Sequence, residues 1–208
     1  DPNTLTRGNN NAEHEARDDP SFFYTDAISD QAVEFIERHG RDHADQPFFQ
    51  YVAYTAPHWP LHAHPEDIAK YRGRFDAGWD ALRQARLERL VGSGLLDARW
   101  TLSARDPSQP PWDEADEKAW RLRCMEVYAA QIDRMDQGIG RILQALKANG
   151  QFDNTLVIFL ADNGGCAEDI PDDVDVDELV DQLMIARART RAGEPVHIGN
   201  DPSRMPGP

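Results

Sequence analysis

Cysteine is almost missing from this chain: Cys124 and Cys166 are the only two in 208 residues. Two cysteines without zinc-like spacing exclude a disulfide framework and a structural zinc site, and they leave the redox compartment open. Long apolar runs are missing too. No stretch approaches the roughly 20 apolar residues of a membrane-spanning helix, so no membrane span is expected. The opening Asp1-Pro2-Asn3-Thr4 has no basic start or apolar core of a signal peptide, and no targeting signal is legible elsewhere. Basic residues form the third scarcity. With 22 Lys+Arg against 37 Asp+Glu, the net charge of -15 opposes the basic face that a nucleic-acid binder presents, so no nucleic-acid partner is expected. The chain also lacks an initial Met, and its Met205-Pro206-Gly207-Pro208 end has loop composition. The expectation is an internal piece of something longer.

What is present reads as a single α/β unit. Residues 1–21 are polar and predict loop. From Thr25, with Thr25 or Asp26 as cap, Ile28, Ala32, Phe35 and Ile36 make an apolar helix face that stops near Gly40. Pro47-Phe48-Phe49-Gln50-Tyr51-Val52-Ala53-Tyr54 predicts a largely buried strand. A short helix is predicted over 65–71 with Pro65 in its first turn. Residues 73–117 predict a surface excursion, helical from Trp79 to Val91 and then loop through Pro107-Ser108-Gln109-Pro110-Pro111. The strongest helix signal runs from Lys118 to Asn149. There Met125, Tyr128, Ala129, Ile132, Met135, Ile139, Ile142, Leu143 and Leu146 recur at steps of three and four, and Gly150 supplies the stop. Asp133 and Asp136 on its flank read as solvated acids. Helix followed by strand occurs twice, which predicts a mainly parallel sheet flanked by helices. Beyond it, eight acids crowd between Glu168 and Asp181, a solvated block by composition; a helix over 178–191 and an irregular tail from Gly193 complete an acidic and irregular segment, 168–208.

Two stretches carry chemistry. Leu156-Val157-Ile158-Phe159-Leu160-Ala161 predicts a strand buried on both faces, and it runs straight into Asp162-Asn163-Gly164-Gly165. Ligands in open α/β sheets sit beyond the carboxyl ends of strands, and both side chains offer oxygen, which suits calcium or magnesium better than zinc. The same residues also suit a hairpin turn, though Cys166-Ala167-Glu168-Asp169-Ile170-Pro171 makes a poor returning strand. The second stretch is Thr55-Ala56-Pro57-His58-Trp59-Pro60-Leu61-His62-Ala63-His64-Pro65. Its prolines forbid a helix, so the step from His58 to His62 does not align a zinc pair. What remains is His58 as a single donor aimed into a site, or a surface loop packed by Trp59.

With these residues placed, the chain resembles a type I sulfatase of the arylsulfatase branch of the alkaline phosphatase superfamily. The likeness rests on Tyr24-Thr25-Asp26-Ala27-Ile28, Tyr54-Thr55-Ala56-Pro57-His58-Trp59-Pro60-Leu61, Gly78-Trp79-Asp80, Met125-Glu126-Val127-Tyr128-Ala129-Ala130 and Phe159-Leu160-Ala161-Asp162-Asn163-Gly164, in that order. It implies an incomplete alkaline phosphatase-like fold, with residues 24–165 as core. It also implies a hydrolase of sulfate esters, acting on a small molecule or a sulfated sugar. In such a family Asp162 and Asn163 hold a divalent metal, calcium first and magnesium as alternative. His58 contacts the sulfate and is a candidate proton donor. The family's nucleophile is a formylglycine made from the Cys of Cys-x-Pro-Ser-Arg. Neither Cys124 nor Cys166 lies in that motif, and before Pro202-Ser203-Arg204 the place is held by Asn200. The formylglycine is therefore expected only in a longer parent, periplasmic or secreted, and the fragment alone is expected to be inactive. Two rival readings stand beside this one. The same scaffold and metal pair also serve phosphodiesterases and phosphonate monoester hydrolases, and the acids of 168–181 suit a non-catalytic domain that binds calcium or a protein partner.

Overall fold

The computed structural model describes residues 5–165 and Glu178. The acidic block, the predicted helix over 178–191, the tail from Gly193 and Cys166 lie outside the described residues. Five α-helices are present among the described residues: α1 (Glu13–Asp18), α2 (Tyr24–Asp42), α3 (Pro65–Ala69), α4 (Gly78–Gly92) and α5 (Lys118–Ala148). The two long ones, α2 and α5, pack along each other and form the frame.

Their packing follows from two stripes. On α2 the buried residues are Thr25, Ser29, Ala32 and Ile36, one seam at alternating steps of four and three. Ile36 meets Ala145 and Leu146 of α5, with Val33, Ile142, Leu143 and Phe152 around them. A second cluster joins Val127 and Ala130 of α5 to Ile68 of α3, covered by Leu61, Ala63 and Tyr71. The seam on α5 is rotated from the predicted one. Glu126, Val127, Ala130, Gln131, Gly138, Ala145 and Leu146 are buried, while Met125 and Ile132 of the expected face are exposed. At its end Gly150, at φ 69°, adopts the left-handed turn that closes the helix, and Gln151 N–H returns to Leu146 C=O at 2.9 Å. Asn149 Nδ2 then donates to Ile36 C=O at 2.9 Å, tying this end to α2.

Several expectations are corrected. Residues 1–21 are not all loop: β1 (Thr6–Arg7) pairs antiparallel with β2 (Asn10–Asn11), and α1 follows. The Gly8-Asn9 step between the strands is the local cause, with Gly8 at φ 61°. Neither Thr25 nor Asp26 caps α2, whose cap is Phe23 without a side-chain bond. The mainly parallel sheet is not formed among the described residues, where the β1–β2 pair is the sole ladder. Residues 47–54 keep an alternating pattern, with half-buried Gln50, Val52 and Tyr54 between exposed Phe49, Tyr51 and Ala53. Gln50 Nε2 donates to Ala32 C=O at 3.2 Å, which directs one side toward α2. Residues 156–160, read as buried on both faces, are instead exposed, Leu156 to 85% and Phe159 to 73%. The reason is physical: burying such a run on both faces takes a neighbouring strand and a covering layer, and the described residues supply neither.

The 73–117 stretch builds a small structure of its own. Trp79 and Trp112 meet edge-on at 4.8 Å, and Trp79 Nε1 donates to Pro110 C=O at 3.2 Å. Asp80 accepts from Trp112 N–H at 2.8 Å and from Arg105 at 3.0 Å. The first of these contacts does most to hold its carboxyl below the usual range. Glu126 of α5 accepts Gly73 N–H at 2.9 Å and so fixes where the stretch begins.

Candidate functional site

The loop carrying His58 connects residues 47–54 to α3, and both of its ends are anchored. At the near end, Tyr54 Oη lies 2.8 Å from Ser29 Oγ of α2. At the far end Leu61 and Ala63 pack on Ile68, Val127 and Ala130, while Phe23 contacts the rings of His62 and His64 at 5.3 and 4.6 Å. Between the anchors, His58 N–H bonds Thr55 C=O at 3.0 Å in a tight turn. The His58 ring is exposed and stands 4.7 Å from the ring of Trp59.

The local bond of His58 decides its tautomer. Nδ1 is 2.8 Å from the Trp59 carbonyl oxygen; a carbonyl only accepts, so Nδ1 carries a hydrogen. Nε2 is then the atom left for chemistry. It accepts when the ring is neutral and donates when the ring is an imidazolium.

Asp162 and Asn163 follow the exposed run and are themselves exposed. Their turn ends at Gly165, where an added Cβ would stand 3.4 Å from Tyr128 Oη of α5. The Asp162–Gly165 turn and the far limb of the His58 loop thus approach one stretch of α5, from Val127 to Ala130. As a cation site the pair fits in kind but not in number. Both residues offer hard oxygen, yet calcium takes six to eight such ligands, and no group of three or more His, Cys, Asp or Glu among the described residues could hold a metal. Asp162 and Asn163 suit part of a coordination shell.

Reading the sequence locally missed the charged cluster under the loop. Asp133, expected as a solvated acid, accepts from Gln137 at 2.7 Å, Lys70 at 3.1 Å and Tyr71 at 3.1 Å. Partial burial opposes its charge, but these donors outweigh that and hold its pKa below the usual carboxylate value. Asp136 is exposed, as expected. Cys124, half-buried on the same helix, is poorly set up as a nucleophile. Burial pushes its thiol up to about 11 against a weaker opposing pull from Arg121, which leaves on the order of one thiolate in a thousand at pH 8. In a Cys166→Ser variant, Cys124 should react with Ellman's reagent far more slowly in the native chain than in denaturant; equal rates would contradict its burial.

Known proteins complete the picture. A model of the sulfatase family matches residues 2–201. An uncharacterized sulfatase of Schizosaccharomyces pombe is 38% identical over 69% of this chain and 26% of its own length. The arylsulfatase of Klebsiella aerogenes is 32% identical over 69% of this chain and 30% of its own. Human N-sulphoglucosamine sulphohydrolase is 34% identical over 58% of this chain and 22% of its own. The chain therefore spans less than a third of the length of each of these three relatives. Since the family match runs across nearly all of it, from residue 2 to residue 201, the chain belongs to the sulfatase family.

Proposed function

We propose that residues 1–208 form part of the catalytic domain of a sulfuric ester hydrolase of the arylsulfatase type. Asp162 and Asn163 supply two oxygen ligands of a divalent cation, calcium in the first instance and magnesium as the alternative. His58 contacts the sulfate through Nε2. The nucleophile, a formylglycine, comes from outside these residues. In the same reading, residues 47–54 and 155–160 are neighbours in a parallel, alkaline phosphatase-like sheet that sequence beyond this chain completes.

The observation that carries this reading is that the Asp162–Gly165 turn and the far limb of the His58 loop, at Leu61 and Ala63, both reach α5 between Val127 and Ala130. A bound cation would neutralise sulfate oxygens and stabilise charge that develops at the ester. The chain's own contributions are simpler. Asp162 brings a full negative charge and Asn163 a neutral oxygen beside it. His58, with Nδ1 held by the Trp59 carbonyl, presents Nε2 to solvent, where its imidazolium donates a hydrogen bond to an anionic oxygen or a proton to the departing one.

A substrate panel tests the proposal. The whole protein carrying residues 1–208 should hydrolyse p-nitrophenyl sulfate in preference to bis(p-nitrophenyl) phosphate and to a phosphonate monoester, whereas residues 1–208 alone should turn over none of them. Preference for the phosphodiester or the phosphonate would replace the reading with phosphoryl chemistry on the same scaffold. Sustained, metal-dependent sulfate release by residues 1–208 alone would overturn the external nucleophile.

A further inference from the structure

The densest charge cluster among the described residues lies beneath the His58 loop, and its centre is Arg134, midway along α5. Nε of Arg134 donates to both Asp26 oxygens at 2.8 and 3.1 Å, and Nη2 donates to Asp26 Oδ2 at 2.7 Å. Its remaining arm, Nη1, is 3.6 Å from Asp67 Oδ2. Asp26 belongs to the first turn of α2 and Asp67 to the first turn of α3, so one guanidinium spans three helices. Asp67 is only 2% exposed. Its Oδ1 accepts from Lys70 at 2.7 Å and Gln137 at 3.2 Å, while Oδ2 is buried without a hydrogen bond and forms its ion pair with Arg134. Arg141 adds ion pairs to Asp26 and Asp30 at the open end.

The loop is tied into this cluster. His64, the residue that precedes α3, closes the far limb of the His58 loop. Its Nε2 is buried without a hydrogen bond and faces Asp26 Oδ2 at 3.5 Å. Its carbonyl receives the N–H groups of Asp67 and Ile68, each at 3.0 Å. Moving Asp26 or Asp67 would therefore move the end of the loop.

Stability alone is a weak reason for such a cluster. Buried ion pairs are often no more stabilising than well-packed apolar residues of the same volume, whereas a planar guanidinium fixes the geometry of the carboxylates it grips. We propose that Arg134 is a positioning residue: by holding Asp26 and Asp67 in one relation it sets the orientation in which the loop presents His58. The inference rests on His58 being the sulfate contact.

The two ideas separate in a double-mutant cycle on the whole protein. Arg134→Met should lower kcat for p-nitrophenyl sulfate about tenfold or more with KM little changed, and Arg134→Lys, which keeps the charge but not the fork, should recover only part. In a His58→Gln background, Arg134→Met should cost almost nothing further. An undiminished Arg134→Met effect there would overturn the positioning role. If His58→Gln itself leaves turnover unchanged, the sulfate-contact reading falls, and positioning is decided on residues 1–208 by amide NMR. Beyond the immediate neighbours of Arg134 and Asp26, shifts confined to 58–67 on Arg134→Met, with Ile36, Ala145 and Leu146 unmoved, would sustain it. Shifts spread over the whole helix pair, or none in the loop, would overturn it. Asp26→Asn, which leaves Arg134 in place, should give the same confined pattern; a spread or absent response there would count equally against it.

Discussion

Asp162→Ala should cost the whole protein about a thousandfold in sulfate-ester turnover, the several kcal/mol that cation charge stabilisation is worth, while leaving the melting temperature of metal-free residues 1–208 unchanged. The two effects separate because Asp162 is exposed, and exposed substitutions away from special contacts usually change stability by less than about 0.5 kcal/mol. Asn163→Ala should cost less, since a neutral amide oxygen brings no net charge to a hard cation. A terbium-luminescence titration of residues 1–208 gives a readout that needs no turnover. Whatever weak cation binding the turn has should vanish with Asp162→Ala and survive when the acids of 168–181 are changed to Asn and Gln. The reverse pattern would favour a non-catalytic calcium-binding domain, and full turnover by Asp162→Ala would sink the metal reading outright.

How much of this was legible in the sequence depended on how local the cause was. The helices from α2 to α5 were readable because their determinants lie within a turn or two, whereas the short polar α1 was not. The repeat of apolar residues after Lys118 gave α5 nearly to the residue, and Gly150 stops it by the left-handed turn expected of it. The phase of its buried face was harder, since that depends on what lies opposite: Val127 is fully buried because α3 covers it, while Met125 and Ile132 have no such cover. The apolar runs at 47–54 and 155–160 show the same limit more sharply. Composition says what a segment can bury, but burial itself requires partners, and these residues stand exposed wherever the described chain provides none.

The site divides in the same way. His58, Asp162 and Asn163 could be picked out because each sits in a short run whose residue types imply a turn and a ligand. The cluster around Arg134 could not. Arg134 and Asp26 are 108 residues apart, and Asp133 is 63 from Lys70, so no local pattern distinguishes them from the solvated charges that line most helices. Their pairing is a product of the way α2 and α3 pack on α5 and becomes visible only after that packing is known.

Where α2 and α5 meet they leave no room for a side chain on Gly138, and leucine there should be strongly damaging to the fold. Gly138 of α5 faces Ser29 of α2, which is fully buried. A Cβ on Gly138 would collide with Ser29 Oγ and stand 3.0 Å from both Ser29 Cβ and Tyr54 Oη. Ser29 Oγ donates to Thr25 C=O at 2.9 Å and shares a 2.8 Å hydrogen bond with Tyr54. Leucine would have to force the helices apart and break the Tyr54 contact that anchors the near end of the His58 loop. Overpacking costs about 1–3 kcal/mol and the lost hydrogen bond about 1, against a gain of up to about 1 from replacing glycine within a helix. The net is destabilising by about 1–3 kcal/mol, which for a chain of this size is a fall of roughly 2–12 °C in melting temperature. Gly138→Ala should do less harm, and adding Ser29→Ala should recover part of that loss by vacating the space the new methyl needs, despite the missing bond to Tyr54. Thermal melts of the three variants of residues 1–208 by circular dichroism decide it. If Gly138→Leu melts within about 2 °C of the parent, less than 1 kcal/mol on that scale, α2 and α5 do not approach as closely as described, and the anchoring of the loop through Ser29 and Tyr54 falls with them.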